Sequence, residues 1–332
     1  MVCRISFVIV FNLLFIQVFA QKKSLDHSVY DNWQSIKFTK VSDDAQFVLY
    51  SVTPQEGDAL LTISTPSGEA IYNVPRGENG VFTNNSQYAI VTIKPLFKDI
   101  RQAKIKKKKA DEMPKDSLAI ISLTTKNIDK FANVKSFKLA DESSDYIAFL
   151  EEKLPSKTDS TDKKNKSDKI ENPGTLHLRN LITGEEEIFE NVNDYYFDNS
   201  GNLLAIIRKG KNQKEKVENA GLFLYSIKEK QLKQISYGRG NYSNLAFDLL
   251  GNQLAFTAEK NAEKALQKPY SLYYYTPDQD TAKIIANVSS TGMPNNWNVS
   301  GDGDIRFSKN GDKLFFGIAP IPPAKDTTIV DF

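Results

Sequence analysis

The sequence predicts an all-β fold of repeated sheets, and two observations predict it. The first is a phrase that recurs along the chain, clearest at residues 195–208, YYFDNSGNLLAIIR. A strand arrives at Phe197, a polar turn follows through Asp198, Asn199, Ser200 and Gly201, and residues 203–207 depart without a polar side chain. Gly201 suits a turn that needs one residue at positive φ, which glycine reaches without a Cβ clash. Aligned on Gly201, the phrase returns at Ala45, Ser86, Ser144, Gly251 and Gly311, with successive anchors 41 to 60 residues apart. The second observation is another phrase between the anchors, an apolar strand, a polar turn and a further strand, at residues 60–72, 117–128, 175–189, 221–235 and 271–285. Each period therefore holds about four strands, and repeats of roughly 40 to 50 residues with that content are the signature of a β-propeller. The expected architecture is a propeller of four-stranded WD-like blades, about six of them visible, with the ring not closed.

The elements follow in order. Residues 1–20 carry Arg4 ahead of an apolar run and end in Val18, Phe19 and Ala20, the pattern of a secretory signal cleaved before Gln21. The single cysteine, Cys3, leaves with that segment, so the mature chain is expected to carry no thiol, in keeping with an oxidising compartment. Export to the periplasm or the extracellular space follows, with no membrane attachment after cleavage. Residues 21–332 then form the partial propeller. Trp33 and Ile36 are expected to pack at the edge of the first blade, and His27, between Asp26 and Asp31, reads as a solvated group.

Two insertions interrupt blades. Residues 98–116 carry Lys104, Lys106, Lys107, Lys108 and Lys109 and predict a short exposed helix before Pro114. Residues 151–173 have almost no apolar side chains and are expected to be mobile. A smaller insertion covers 209–219, and prolines at 320, 322 and 323 force extended backbone near the end. The sixth repeat lacks a second hairpin, which predicts that the chain is the N-terminal part of a longer protein.

Charge excludes one class of partner: 43 basic and 41 acidic residues give a net +2, no excess for nucleic acid. Catalytic residues are not expected. There is no G-x-S-x-G elbow, and His177, alternating with Leu176 and Leu178, is expected on a blade surface away from their face. No cofactor or metal site is expected. His27 and His177 are too far apart for zinc, and Gly301, Asp302, Gly303 and Asp304 lack the spacing of a calcium loop. The substrate-binding candidates are Glu151 and Glu152, which follow an apolar strand and together suit a peptide's α-ammonium through charge-assisted hydrogen bonds.

Three stretches, residues 25–38 (LDHSVYDNWQSIKF), 101–118 (RQAKIKKKKADEMPKDSL) and 322–332 (PPAKDTTIVDF), resemble the N-terminal propeller of secreted bacterial S9 peptidases, the prolyl oligopeptidase and dipeptidyl peptidase family. The resemblance implies a C-terminal α/β-hydrolase domain with a Ser, Asp, His triad, absent from this chain. It implies a propeller that gates or positions short peptides for that domain, with Glu151 and Glu152 suggested as counterparts of the dipeptidyl peptidase glutamates. The alternative is a stand-alone periplasmic WD-like propeller that binds a protein partner. An enzyme with its site in the propeller funnel is a third class, and the starts of the inner strands show no set of carboxylates for it.

Overall fold

A strand such as LLAIIR offers water neither face, so it belongs inside a sheet that is itself covered on both sides. The computed structural model, which describes residues 30, 33–153, 173–208, 219–260, 265, 267–321 and 323, meets that requirement. Five four-stranded antiparallel sheets succeed one another, each with its strands in chain order. Blade 1 is β1 (Gln34–Val41), β2 (Val48–Pro54), β3 (Leu60–Ser64) and β4 (Ala70–Pro75). Blade 2 is β5 (Gly77–Phe82), β6 (Tyr88–Ile93), β7 (Ser117–Ser122) and β8 (Ile128–Phe131). Blade 3 is β9 (Val134–Leu139), β10 (Tyr146–Glu151), β11 (Gly174–Asn180) and β12 (Glu186–Val192). Blade 4 is β13 (Asp194–Phe197), β14 (Leu203–Arg208), β15 (Gly221–Ser226) and β16 (Gln231–Tyr237). Blade 5 is β17 (Asn241–Phe247), β18 (Leu254–Glu259), β19 (Ser271–Tyr275) and β20 (Lys283–Ala286). The sixth unit consists of two ribbons, β21 (Trp297–Val299) with β24 (Ile318–Pro320) and β22 (Arg306–Phe307) with β23 (Leu314–Phe315). First strands of consecutive units approach each other, β1 and β5, β9 and β13, β17 and β22, as blades of a β-propeller do.

Alternation along the second strand divides it between two neighbours. Leu204 and Ile206 of β14 pack with Leu176, Leu178 and Phe189 of blade 3, while Ala205 and Ile207 pack with Leu254, Phe256 and Tyr273 of blade 5. Successive Cβ atoms point to opposite faces, so one apolar run seals two seams. Blades 1 and 2, 2 and 3, and 5 and 6 are joined the same way. Burying one such Leu or Ile contributes about 1.5–3 kcal/mol.

The recurring turn has a specific lock. In five units the residue after the first strand turns its side-chain oxygen onto the backbone N–H that opens the second: Phe47 to Ser42 Oγ (3.0 Å), Tyr88 to Thr83 Oγ1 (3.1 Å), Leu203 to Asp198 Oδ1 (2.8 Å), Gln253 to Asp248 Oδ1 (2.7 Å) and Lys313 to Ser308 Oγ (3.0 Å). The anchors Ala45, Ser86, Gly201, Gly251 and Gly311 all have φ between +55° and +74°. Neighbouring turns also touch. Asp44 N–H donates to Ser86 Oγ (3.2 Å), Asn85 N–H to Ser144 Oγ (3.0 Å), Glu142 N–H to Asn199 O (2.8 Å) and Gln253 Nε2 to Gly311 O (3.2 Å).

Blade 3 departs from the sixfold equivalence. Leu139 pairs with Ile147, eight residues on, whereas Phe197 pairs with Leu204, seven on. Ala140 stands where the capping oxygen should be, and Ser144 is not among the positive-φ residues. The extra residue makes a wider turn that needs no left-handed anchor, and Ser144 contributes its hydroxyl to blade 2 instead. Trp33 and Ile36 also differ from expectation: they are 55% and 64% exposed, and Trp33 makes an edge-on contact with Tyr30 (4.8 Å between centroids).

A Cβ on Gly201 would stand 2.8 Å from Ser143 Cβ and 2.9 Å from Ala140 Cβ, whereas on Gly311 its nearest neighbour is the amide end of the long Gln253 side chain, which can shift by rotation about its own bonds. Gly201→Ala is therefore expected to cost about 2 kcal/mol or more, and Gly311→Ala about 1 kcal/mol, read from urea unfolding midpoints. Equal costs would show that inter-blade crowding is not what selects glycine at Gly201.

Candidate functional site: the rim that carries the insertions

Because strands alternate in direction, every link from a second to a third strand falls on the rim opposite the capped turns. Those links are residues 55–59, 94–116, 152–173, 209–220 and 260–270. The strand ends that bound these links therefore share one face of the arc, the arrangement in which repeat proteins place binding loops. The lysine-rich insertion begins with helix α1 (Phe97–Ile105) and continues through a single 3-10 turn, Ala110–Glu112. The helix is tied to blade 1. Phe97 N–H donates to Asp58 Oδ1 (2.8 Å), which meets the positive end of the helix, Arg101 pairs with Glu56 (3.3 Å), and Ala103 is buried.

Glu151 and Glu152 sit on this rim with their carboxylates committed to different partners. Glu151, the last residue of β10, places Oε2 3.3 Å from His177 Nε2. Glu152 Oε2 lies 2.6 Å from Lys115 Nζ, bridging blade 3 to the strand entry of blade 2, where Lys94 pairs with Asp116 at 2.7 Å. The Glu151 side chain is 43% exposed and that of Glu152 28%, so Glu151 is the more open acceptor. Next along the rim, Lys153 pairs with Glu190. Burial lowers the proton affinity of the Arg208 guanidinium despite the nearby Glu190 carboxylate.

His177 is more enclosed than a surface strand residue. Its ring stacks on Phe149 (4.8 Å, 1° between planes), and its Nδ1 lies 3.1 Å from Glu186 Oε2. Glu186 also accepts from Arg179 (2.7 Å), which reaches Asp129 on blade 2 at 2.6 Å. Glu151, His177, Glu186, Arg179 and Asp129 thus form a continuous line of polar contacts across the seam. Ionised carboxylates only accept, so a ring protonated on both nitrogens donates to both and a neutral ring to one. Among the described residues the two ring nitrogens of His177 meet the Glu186 and Glu151 carboxylates, which brace the ring between neighbouring strands.

Another cluster was not legible beforehand. On the first strands of blades 3 and 4, Lys138 Nζ donates to Tyr195 O (2.5 Å), lies 3.3 Å from Asp194 Oδ1 and stands 3.6 Å from the centroid of the Tyr196 ring. Tyr196 O–H donates to Asp194 (2.8 Å), and burial pushes its ionisation well above the ordinary tyrosine range. Its only sequence signal is a polar residue in each of two short first strands. Residues 301–304 form a serine turn, with Ser300 Oγ accepting from Asp302 (3.2 Å) and Gly303 (3.0 Å). Residues 1–20, expected to be a secretory signal, together with His27, residues 154–172 and 209–218 of the insertions and residues 324–332, lie outside the described residues.

At the seam of blades 4 and 5, Lys260 donates to Ser236 Oγ (2.7 Å) and Tyr237 O (3.1 Å) over the rings of Tyr273 and Tyr242. Burial brings its pKa down to about 8. An unfolded lysine titrates near 10.4, so below about pH 8 both states hold the proton and the folded state carries the full burial penalty on the charge. Between about pH 8 and 10 the folded state sheds its proton first, and stability rises. Compared with Lys260→Met, the wild-type chain is expected to gain melting temperature across that window. Parallel curves in a pH series of thermal melts would refute the assignment.

No family model and no curated relative matches the chain. Among solved structures it is similar to the Pyrococcus horikoshii acylaminoacyl peptidase, at 10% identity and a TM-score of 0.44, over 86% of this chain and 43% of that one. It is also similar to the β-propeller domain of the Trilobed protease from Pyrococcus furiosus, at 10% identity and a TM-score of 0.42, over 88% of this chain and 86% of that one. An oligogalacturonate lyase from Vibrio parahaemolyticus is similar at 14% identity and a TM-score of 0.41, over 84% and 72%. The chain thus spans less than half the length of the acylaminoacyl peptidase, and its assignment as a propeller rests on the strand order and seams described above.

Proposed function

We propose that the chain is the propeller of a secreted S9-type serine peptidase, which gates or positions short peptides for a C-terminal α/β-hydrolase domain outside residues 1–332. The observation that carries this reading is that the strand ends flanking the inserted links, with Glu151 and Glu152 among them, share one rim of the arc. A face built of insertions suits contact with a second domain or a bound peptide, while the opposite rim is occupied by short turns locked to one another. The sequence resemblance at residues 25–38, 101–118 and 322–332 supports the same reading. Within it Glu151 receives the peptide's α-ammonium, and Glu152 is held beside it by Lys115.

Reading the gene beyond codon 332 tests the assignment directly. A G-x-S-x-G motif followed by Asp and His supports it, and a stop codon within one or two further blades favours a stand-alone binding propeller. The chain by itself is expected to give no turnover on prolyl and dipeptidyl substrates, and clear activity would overturn the reading. Glu151→Gln is expected to weaken binding of a free-amine dipeptide by about tenfold while leaving its N-acetylated form unchanged, measured by calorimetry. Equal effects on both peptides would remove Glu151 from the ammonium site. Export predicts a mature N-terminus at Gln21, which terminal sequencing of the protein from its native host checks.

A further inference from the structure

Lys260 lies where blades 4 and 5 meet on the insertion rim, and its setting differs from that of a solvated lysine. Two hydrogen bonds to β16 fix the amine, through Ser236 Oγ and Tyr237 O. The ring centroids of Tyr273 and Tyr242 stand 4.5 and 5.3 Å from Nζ. Beside it opens a cavity of about 250 Å³ lined by Lys260, Tyr273, Ala258, Ser271, Asn287 and Val288. Its exposed wall is mainly polar, through Lys260, Ser271 and Asn287, with Tyr273, Ala258 and Val288 supplying apolar surface. Asn287 Oδ1 accepts from the Ser289 N–H (2.9 Å), which leaves the amide nitrogen of Asn287 as a donor.

We propose that Lys260 captures a small aldehyde in this cavity as a reversible imine. Geometry supplies the parts. The cavity admits a carbonyl compound of a few carbons, its tyrosine and valine surfaces cover the alkyl part, and the Asn287 amide offers a hydrogen bond to the carbonyl oxygen. Burial holds the lysine near a pKa of 8, so a useful share of the amine is neutral close to neutral pH. The ammonium gives one proton to solvent, and the freed lone pair attacks the carbonyl carbon. The nitrogen's proton passes to the carbonyl oxygen, and the carbinolamine loses water to leave a C=N bond. No oxidant or reductant is consumed, and hydrolysis returns the amine and the aldehyde.

Limiting glycolaldehyde with cyanoborohydride at pH 8 traps the imine as a secondary amine, and peptide mapping by mass spectrometry reads its position. Lys260 is expected to label at least about tenfold faster than the exposed Lys98 and Lys107, because burial favours its neutral, nucleophilic form and the cavity holds the aldehyde beside it. Val288, 42% exposed at the cavity wall, provides the control. Val288→Trp or Val288→Phe, whichever keeps the wild-type melting temperature, fills the space and is expected to bring Lys260 down to the rate of the exposed lysines. Labelling of Lys260 no faster than Lys98 and Lys107, or an unchanged rate in the filled variant, overturns the proposal. Neither result bears on the peptide-gating reading, which rests on other residues.

Discussion

A second strand with two covered faces cannot be satisfied by its own sheet. Leu204 and Ile206 need blade 3, Ala205 and Ile207 need blade 5, and both demands are written into four consecutive residues. The rest of the architecture follows from that shared burial. Sheets must stand side by side, their first strands must converge, and their exposed outer strands can carry polar side chains, as β8 does with Asp129 and Lys130 and β16 with Gln231 and Lys233. Each seam is a hydrophobic interface built from two half-faces, so a substitution in a second strand acts on one neighbour and not the other, according to its parity along the strand.

The two rims divide the labour. One is closed by short turns whose capping oxygens satisfy backbone N–H groups that would otherwise be lost at the end of a sheet. Tight geometry there leaves little room for variation, as the crowding around Gly201 illustrates. At the other rim, Lys115 pairs with Glu152 across the seam of blades 2 and 3, and Arg179 with Asp129 joins the same two blades nearer the capped turns. These exposed or half-exposed pairs contribute little stability individually. Their value is in orientation, because they fix which carboxylates remain open to solvent.

The sequence made the blades visible because their signal is local. An apolar run, a polar turn and a glycine lie within about a dozen residues, and the repeated copies reinforce one another. The lysine-rich helix was visible for the same reason, although its attachment to Asp58 was not. What the sequence concealed depends on residues far apart in the chain. Lys138 meets Asp194 and Tyr196 only because two first strands converge, and Lys260 acquires its environment from Ser236, Tyr242 and Tyr273 on three different strands. Ser144 misled for another reason: its phrase resembles the other anchors, yet one added residue changes the backbone solution and removes the need for positive φ. His177 alternates with leucines as a surface residue would, but stacking on Phe149 and two carboxylates from neighbouring strands enclose it.

The uncapped turn of blade 3 has a consequence for cooperativity. In an array whose units contact chiefly their immediate neighbours, the free energy is approximately a sum of unit and interface terms, and partial unfolding divides the array where those terms are smallest. Ala140 supplies no side-chain acceptor, so blade 3 relies on its flanking seams more than its neighbours do. Amide protons around residues 140–146 then exchange through a local opening, ahead of the global event that frees the interior of blades 2 and 4.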